Sequence, residues 1–501
     1  MKHSTFTLKW FCVAAAIFVA CSSDSSSNAS ETDSSSSEFS GISSENLAES
    51  SSSQFSTLSS SESGDLDGDN PDVENTDTDT LSTSTWLSWE VPEAPSAGVY
   101  AAPDSAVLVT FSDAGISVLN AGTKSVSVSE NILVIGSAGL YVMSGSCSDA
   151  QILINVPETA TVELVLNGVK LHHSENAPLF FVAGDKMKIH LADGSTNIFS
   201  DARKYAFMTV GTYTELDSVP KACLYAREDL TIEGNGTLYV TGNYNNGIHT
   251  KADLVIKDSP TIYVNALNNA LKGKGSVRVK DGGNYYLRTG DGSGISSDKA
   301  TRPLDKGRVA ISAGTFTMDV GNAGVKAAYV DSIAGGNFKI RTVNGDAFHA
   351  ATLQVFDGNF EILAGDEGFC ATEKLQLING NAKITKSSKP FIGTQELSVS
   401  GGTWVGLGGG HDSTMVPRNA DIYAVVTILP TEIIEGSMVS IRNAEGSSVF
   451  SLEAGKNIQS LFAASPDFSA GIYTVYAGES AVCSFSWDSA NKIATSCEAV
   501  Q

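Results

Sequence analysis

The sequence predicts an all-β chain whose main body is a right-handed parallel β-helix, followed by a small C-terminal β domain. Three observations predict it. A polar pair, a small residue and one apolar residue come round every 21 to 24 residues, with one step of 30, across residues 223–392. Between recurrences run two alternating apolar pairs separated by Gly, Asn or Asp turns, the period-2 mark of short strands. No helical period competes with this pattern, and a repeat in the low twenties is a solenoid signature.

From the N-terminus, Lys2 and Lys9 precede a short apolar run, Trp10–Ala20, too short to span a bilayer as a stable helix. Residues 1–20 are therefore expected to be an export signal. The run ends Val19-Ala20-Cys21, which resembles a lipobox, so Cys21 is the expected lipidation site of an outer-membrane lipoprotein. An ordinary secreted protein is the alternative. Residues 21–85 are a Ser/Thr/acidic stretch. From Ser22 to Thr85 it holds 14 acidic residues and no Lys or Arg, too polar to bury a core, and reads as a tether. Asp65-Leu66-Asp67-Gly68-Asp69 lacks the turn Gly and closing Glu of a calcium loop and is read as acidic linker.

Residues 86–420 carry the solenoid. Gln151–Ala222 holds less regular coils, with a loop near Asp201–Pro220. The regular units are marked by Cys223, Gly247, Ala270, Gly294, Gly324, Ala347, Gly368 and Pro390. The long step contains an insertion, Ser297–Lys306. Stacked coils pair each strand with its counterpart one coil away, leaving orphan backbone groups only at the ends. Parallel crossovers favour the right-handed wind. The inward column is expected to be Leu224, Ile248, Leu271, Ile295, Val325, Phe348, Phe369 and Phe391. After Met415 the repeat stops, and residues 421–501 read as short antiparallel strands that cover the open end. Cys483 and Cys497 flank a strand-like segment and would be able to pair in an exported chain.

Like positions in successive coils lie about 4.8 Å apart, so single residues become ladders. One outward column reads Tyr225, His249, Lys272, Ser296, Lys326, His349, Cys370, Ile392; it is either a solvated face or a site. A polar column before each unit reads Asn246, Asn269, Asp291, Asn322, Asp346 and Asp366/Glu367. Stacked Asn side chains hydrogen-bond along a solenoid without any ligand. Stacked carboxylates repel unless a cation lies between them, and calcium takes oxygen ligands at roughly 2.3–2.6 Å. Asp346 with Asp366 and Glu367 is the first candidate metal set, and Asp291 with Asp298 the second. Residues 251–326 hold 12 of the 32 basic residues of an acidic chain, so a locally positive groove for a polyanion is expected, with Lys274 beside Lys272. Tyr225, Tyr244, Tyr285 and Tyr286 are candidates to stack on sugar rings, with core or turn packing as the alternative. The acidic balance gives no support to nucleic-acid binding.

Four segments carry a resemblance: Glu163–Val169 (ELVLNGV), Leu191–Asn197 (LADGSTN), Asp229–Gly236 (DLTIEGNG) and Gly242–Ile248 (GNYNNGI). In this order they are similar to a bacterial family of carbohydrate-binding domains built as calcium-containing parallel β-helices, with an architecture like that of family 9 pectate lyases. Ala470–Gly478 is similar to the family's terminal strands, so the likeness runs from about Asn131 to Gly478. It implies binding of plant cell-wall polysaccharide, pectin-like polygalacturonate and also cellulose, at the cell surface. Tyr225, His249, Lys272, Lys274, Lys326 and His349 are the expected sugar contacts. The chain departs from the pattern at Asn269-Ala270-Leu271, where Asp-Gly-Ile is usual, at the split Gly290-Asp291-Gly292, and at Asn322-Ala323. The calcium complement is therefore expected to be reduced or shifted.

Two other functions stay open at this point. A lyase needs a base with a depressed pKa beside calcium, and Lys272 and Lys326 are the residues placed for it. A non-catalytic adhesin needs neither base nor specific sugar contacts.

Overall fold

Each alternating apolar pair is a strand, and each strand lies beside its counterpart one coil away. The computed structural model describes residues 81, 85–206, 219–299 and 306–500. The export signal, Cys21, most of the tether, the Asp65 loop and Arg302 lie outside the described residues.

The body is a parallel β-solenoid of about 12 turns with three strands in a typical coil. One face is built from Ala222–Ala226, Asn246–Thr250, Leu271–Gly273, Ile295–Ser297, Val325–Ala327, the starts of Phe348–Val355 and Phe369–Leu377, and Phe391–Gly393. We call this the first face. The second runs through Asp229–Gly234, Asp253–Ile256, Ser276–Val279, Arg308–Ile311 and Val330–Ile333. The third runs through Thr237–Gly242, Thr261–Ala266, Asn284–Thr289, Thr315–Val320 and Asn337–Thr342. All these pairings are parallel.

The pleat sends alternate residues inward, so the expected inward column forms in register and every member is fully buried. Burial of each such side chain contributes about 1.5–3 kcal/mol before the entropy cost of ordering it. Toward the C-terminal end the column turns aromatic. Phe348, Phe369 and Phe391 stack at 4.8 and 5.4 Å, beside a second inward stack of Tyr285, Phe316, Phe338 and Phe360. On the second face the inward column runs Leu230, Leu254, Val277, Val309, Asp331, Leu353, Leu375, Leu397. Asp331 is its one charged-type member. It is fully buried, and no hydrogen bond of normal geometry reaches its carboxylate among the described residues.

Both ends add antiparallel pairing. At the N-terminal end, hairpins Val107–Leu119 and Val126–Ile135 are antiparallel. At the other end, Ile458–Ser465 pairs antiparallel with the last coil strand, Thr403–Gly408, and with Tyr423–Ile433. Phe462 from this cap meets Phe391 at 4.6 Å, so the final coil's apolar floor is covered. A five-stranded antiparallel sheet follows, with Cys483 and Cys497 joined by a disulfide. Residues 86–100 run along the third face. Trp89 lies against Tyr263 and under the Arg288 guanidinium, and Thr196 bridges to Ser96.

Candidate functional site

The first face has two halves, and its outward column shows the difference. In the early half Tyr225 is 1% exposed, His249 0% and Lys272 4%. Tyr225 packs on Phe180 at 5.5 Å and edge-on to His249 at 5.3 Å. Lys272 Nζ is 2.9 Å from Asp298 Oδ2. Asp298 comes from the insertion, which is tied back by Ser297 Oγ donating to the Gly275 carbonyl and Lys299 N to that of Lys274. These three candidate sugar contacts are therefore corrected in one respect: they are buried, not on an open surface. Lys274 is half-buried at the corner after its strand. Lys326 and His349, in the later half, remain partly exposed.

The polar column is also two different things. Asn246 Nδ2 donates to the Lys221 carbonyl. Asn246 Oδ1 accepts from Asn269 N at 3.1 Å and Asn269 Nδ2 at 2.9 Å, and Asn269 Oδ1 accepts from Ser293 N at 3.0 Å. Each amide oxygen thus satisfies the next coil's backbone N–H, which makes the early coils a hydrogen-bonded ladder. The register corrects two assignments. Ser293 and Ala323, not Asp291 and Asn322, stand in this column, because Ala270 N bonds to the Ser293 carbonyl and Gly294 N to that of Ala323. Asp291 is exposed and lies before the strand Ile295–Ser297, whereas Asp298 lies after it and is committed to Lys272. The Asp291/Asp298 pair therefore has no shared centre.

Asp346, Asp366 and Glu367 do converge. One carboxylate oxygen from each lies within 4.8 Å of the others. Asp346 keeps the ladder role, its Oδ1 accepting from Glu367 N at 2.9 Å, while its Oδ2 is 2.7 Å from His349 Nδ1. Burial acts to raise the Asp346 pKa, but hydrogen bonds with His349 and Glu367 outweigh it and hold the carboxylate ionised. Glu367 takes the opposite course. Burial, then the neighbouring carboxylates of Asp346 and Asp366, push it up to about 8. Cys370, one coil beyond His349, is pushed up to about 12 by burial and by Asp346 and Glu367. Past them Lys389 Nζ binds Asp412 at 2.6 Å. Burial works against the Asp412 charge, but Lys389 and Thr414 hold its pKa down at about 2. A divalent cation fits the three carboxylates chemically, because its charge would offset both the burial and the mutual repulsion that raise the Glu367 pKa.

The expected basic groove is dispersed. Lys257 pairs with Glu233, Arg278 and Lys306 both pair with Asp253, and Arg288 lies against Trp89. Lys257, Arg278 and Lys306 lie on or beside the second face, where carboxylates already match them, and Arg288 lies on the third, so this charge does not build a groove along the first face. The tyrosines are corrected too. Tyr285 is in the core, and Tyr244 stacks on Tyr205 at 4.1 Å. Tyr286 ends a ladder with Tyr263 and Tyr239, spaced 4.5 Å with rings 8° and 3° from parallel, so one of its ring faces is taken by Tyr263. A separate groove of about 490 Å³ lies between Asn359–Lys383 and Val449–Leu452. It gathers only Glu361 and Lys383 as charges, so volume and chemistry point to different places. We favour the carboxylate face, since an extended polymer needs an open surface more than a cavity.

Comparison with known proteins bears on this geometry. Residues 129–414 match the family described as carbohydrate-binding domain-containing proteins. The chain belongs to that family. A carbohydrate-binding domain-containing protein of Acetivibrio thermocellus is 42% identical over 130 residues, 26% of this chain and 44% of that protein. The chain thus spans less than half the length of that relative. A solved structure, a polysaccharide lyase-like protein from C. thermocellum (gadolinium derivative), is 34% identical. It covers 46% of this chain and 93% of its own, with a TM-score of 0.41. The early-half ladder and the carboxylate centre both lie within the matched carbohydrate-binding domain.

Sequence reasoning missed two features. Asp331 was detectable, since Val330-Asp331-Ser332-Ile333 breaks an apolar alternation kept by its neighbours. The Lys389–Asp412 pair had no local signal, because its members are 23 residues apart and Asp412 lies in the turn before Ser413–Met415.

Proposed function

We propose that this carbohydrate-binding protein is a surface lipoprotein, anchored through Cys21, that holds acidic plant cell-wall polysaccharide of the polygalacturonate type. Asp346, Asp366 and Glu367 hold calcium, and Lys326 and His349 contact the polymer beside it. Calcium would supply charge that both protein and uronate carboxylates share; the protein's residues fix where that charge sits. The observation that carries the reading is the convergence of three carboxylates at the partly exposed end of a face whose other end is neutral and packed. Lyase action is less well supported, since Lys272, a base candidate, is buried and ion-paired.

The test is binding of the full chain to polygalacturonate and to cellulose, with calcium and then with chelator. Polygalacturonate binding that chelator abolishes, and that Asp366→Asn with Glu367→Gln weakens by more than about tenfold, a free-energy loss above about 1.4 kcal/mol, is the expected result. Binding indifferent to chelator would remove calcium from the reading, and release of unsaturated product would replace binding with lysis. Labelling with a fatty-acid analogue, lost in Cys21→Ser, tests the anchor.

A further inference from the structure

The Asp346 carboxylate faces a second set of donors, one that is not all oxygen. His349 and Cys370 are register partners on adjacent coils, and Asp346 lies three residues before His349. A carboxylate oxygen of Asp346, an imidazole nitrogen of His349 and Cys370 Sγ all lie within 4.8 Å of one another. We propose that these three residues hold a d-block divalent cation of the zinc type, leaving one coordination position open to the surface.

Donor chemistry is the first argument. Calcium takes oxygen ligands, whereas a thiolate and an imidazole together select zinc and its neighbours. Placement is the second. Zinc ligands at 2.0–2.3 Å from the ion stand roughly 3.5 Å from each other in a tetrahedron. Side-chain rotations of about 1 Å would close the present set, because interstrand spacing of about 4.8 Å already fixes the two backbones. Orientation is the third. Glu367 N holds Asp346 Oδ1 at 2.9 Å, which leaves Oδ2 toward His349 at 2.7 Å; outer-shell bonds of this sort aim metal ligands. Access is the fourth, since the His349 side chain is 33% exposed and Cys370 is half-buried. Among the described residues no other coil repeats the set: the same column reads Lys272, Ser296 and Lys326 in the coils before. The site goes beyond the calcium reading, with which it shares Asp346 as a ligand and His349 as a polymer contact.

Cobalt(II) added to the metal-free full chain tests this directly. The expected result is a near-ultraviolet sulfur-to-cobalt charge-transfer band that saturates at one equivalent, is displaced by zinc, and survives excess calcium. Cys370→Ser abolishes the band, and His349→Ala weakens zinc binding by more than about tenfold, the least cost of disturbing even an outer-shell partner. Absence of the band, its persistence in Cys370→Ser, or its displacement by calcium would each overturn the proposal. Alkylation mapped by mass spectrometry guards against a misfolded variant: in the unaltered chain, one equivalent of zinc protects Cys370, and unchanged labelling overturns the site. Asp366→Asn keeps all three zinc ligands, so it separates the two readings. It retains the cobalt band if this site is real, whatever it does to polygalacturonate binding.

Discussion

The early and late halves of the first face share one backbone register and differ in what their side chains have to neutralise. In the early half, Asn246 and Asn269 pass hydrogen bonds from coil to coil, and Lys272 is matched by Asp298. In the late half the same positions hold Asp346 and Glu367, and burial together with the neighbouring carboxylates pushes the Glu367 pKa up to about 8. An amide ladder is complete in itself. A carboxylate ladder is not, and that incompleteness marks the end of the face where the proposed cation would sit.

Substitutions that break this contrast are expected to rank as follows. Asn269→Ala removes a donor to Asn246 and strips Ser293 N of its acceptor inside a buried ladder. It should destabilise the fold by roughly 2–4 kcal/mol, counting about 1–3 for the orphaned N–H and the remainder for the lost donor. Chemical denaturation reads it directly, and a loss below about 0.5 kcal/mol would mean the ladder is ornamental. Asp331→Leu tests the opposite case, a buried carboxyl without partners. It should stabilise by about 1–3 kcal/mol. Burial raises the Asp331 pKa well above the usual carboxylate value, the Ser332 N–H offsetting only part of that. The folded state therefore binds a proton more tightly than the unfolded chain, and stability falls as pH rises from about 4. Asp331→Leu should remove that part of the slope.

Smaller effects are expected at the carboxylate centre. Glu367 is raised in the folded state to about 8, so its contribution is present below pH about 4.3 and is lost as pH climbs toward 8. Thermal melts between pH 5 and 9 in chelator should show this decline, and Glu367→Gln or added calcium should flatten it. A decline unchanged by both would separate the proton on Glu367 from any cation. Asp346→Asn gives the smallest shift in stability, since the amide keeps the acceptor for Glu367 N while relieving repulsion. It makes the late half resemble the early one but gives up the ion pair with His349, so its Tm should fall by no more than a degree or two, the effect of a few tenths of a kcal/mol. Metal binding should fall even so.

How far the sequence could be read depended on how local each determinant was. The inward column, the turns and the strand pairs follow from period-2 alternation repeated at a fixed step, and all eight inward residues fall where that step puts them. The convergence of Asp346, Asp366 and Glu367 was legible for the same reason, one coil being 21 residues there. Asp291 failed because one residue added after Thr289, which pairs with Ala266 23 residues earlier, moves the column to Ser293, 24 residues after Asn269. Tyr225, His249 and Lys272 failed because outward in a solenoid does not mean exposed. Their neighbours come from other coils, such as Phe180 beside Tyr225 and Asp298 against Lys272.

By itself, then, the sequence determined a β-solenoid, its inward columns and the coil at which acidic residues accumulate, because each is a consequence of spacing along one strand repeat. The tertiary structure decided which half of the outward face is open, which cations are already paired, and that His349 and Cys370 stand beside Asp346. Those outcomes depend on side chains meeting across coils and on an insertion folding back, and neither is written in the period.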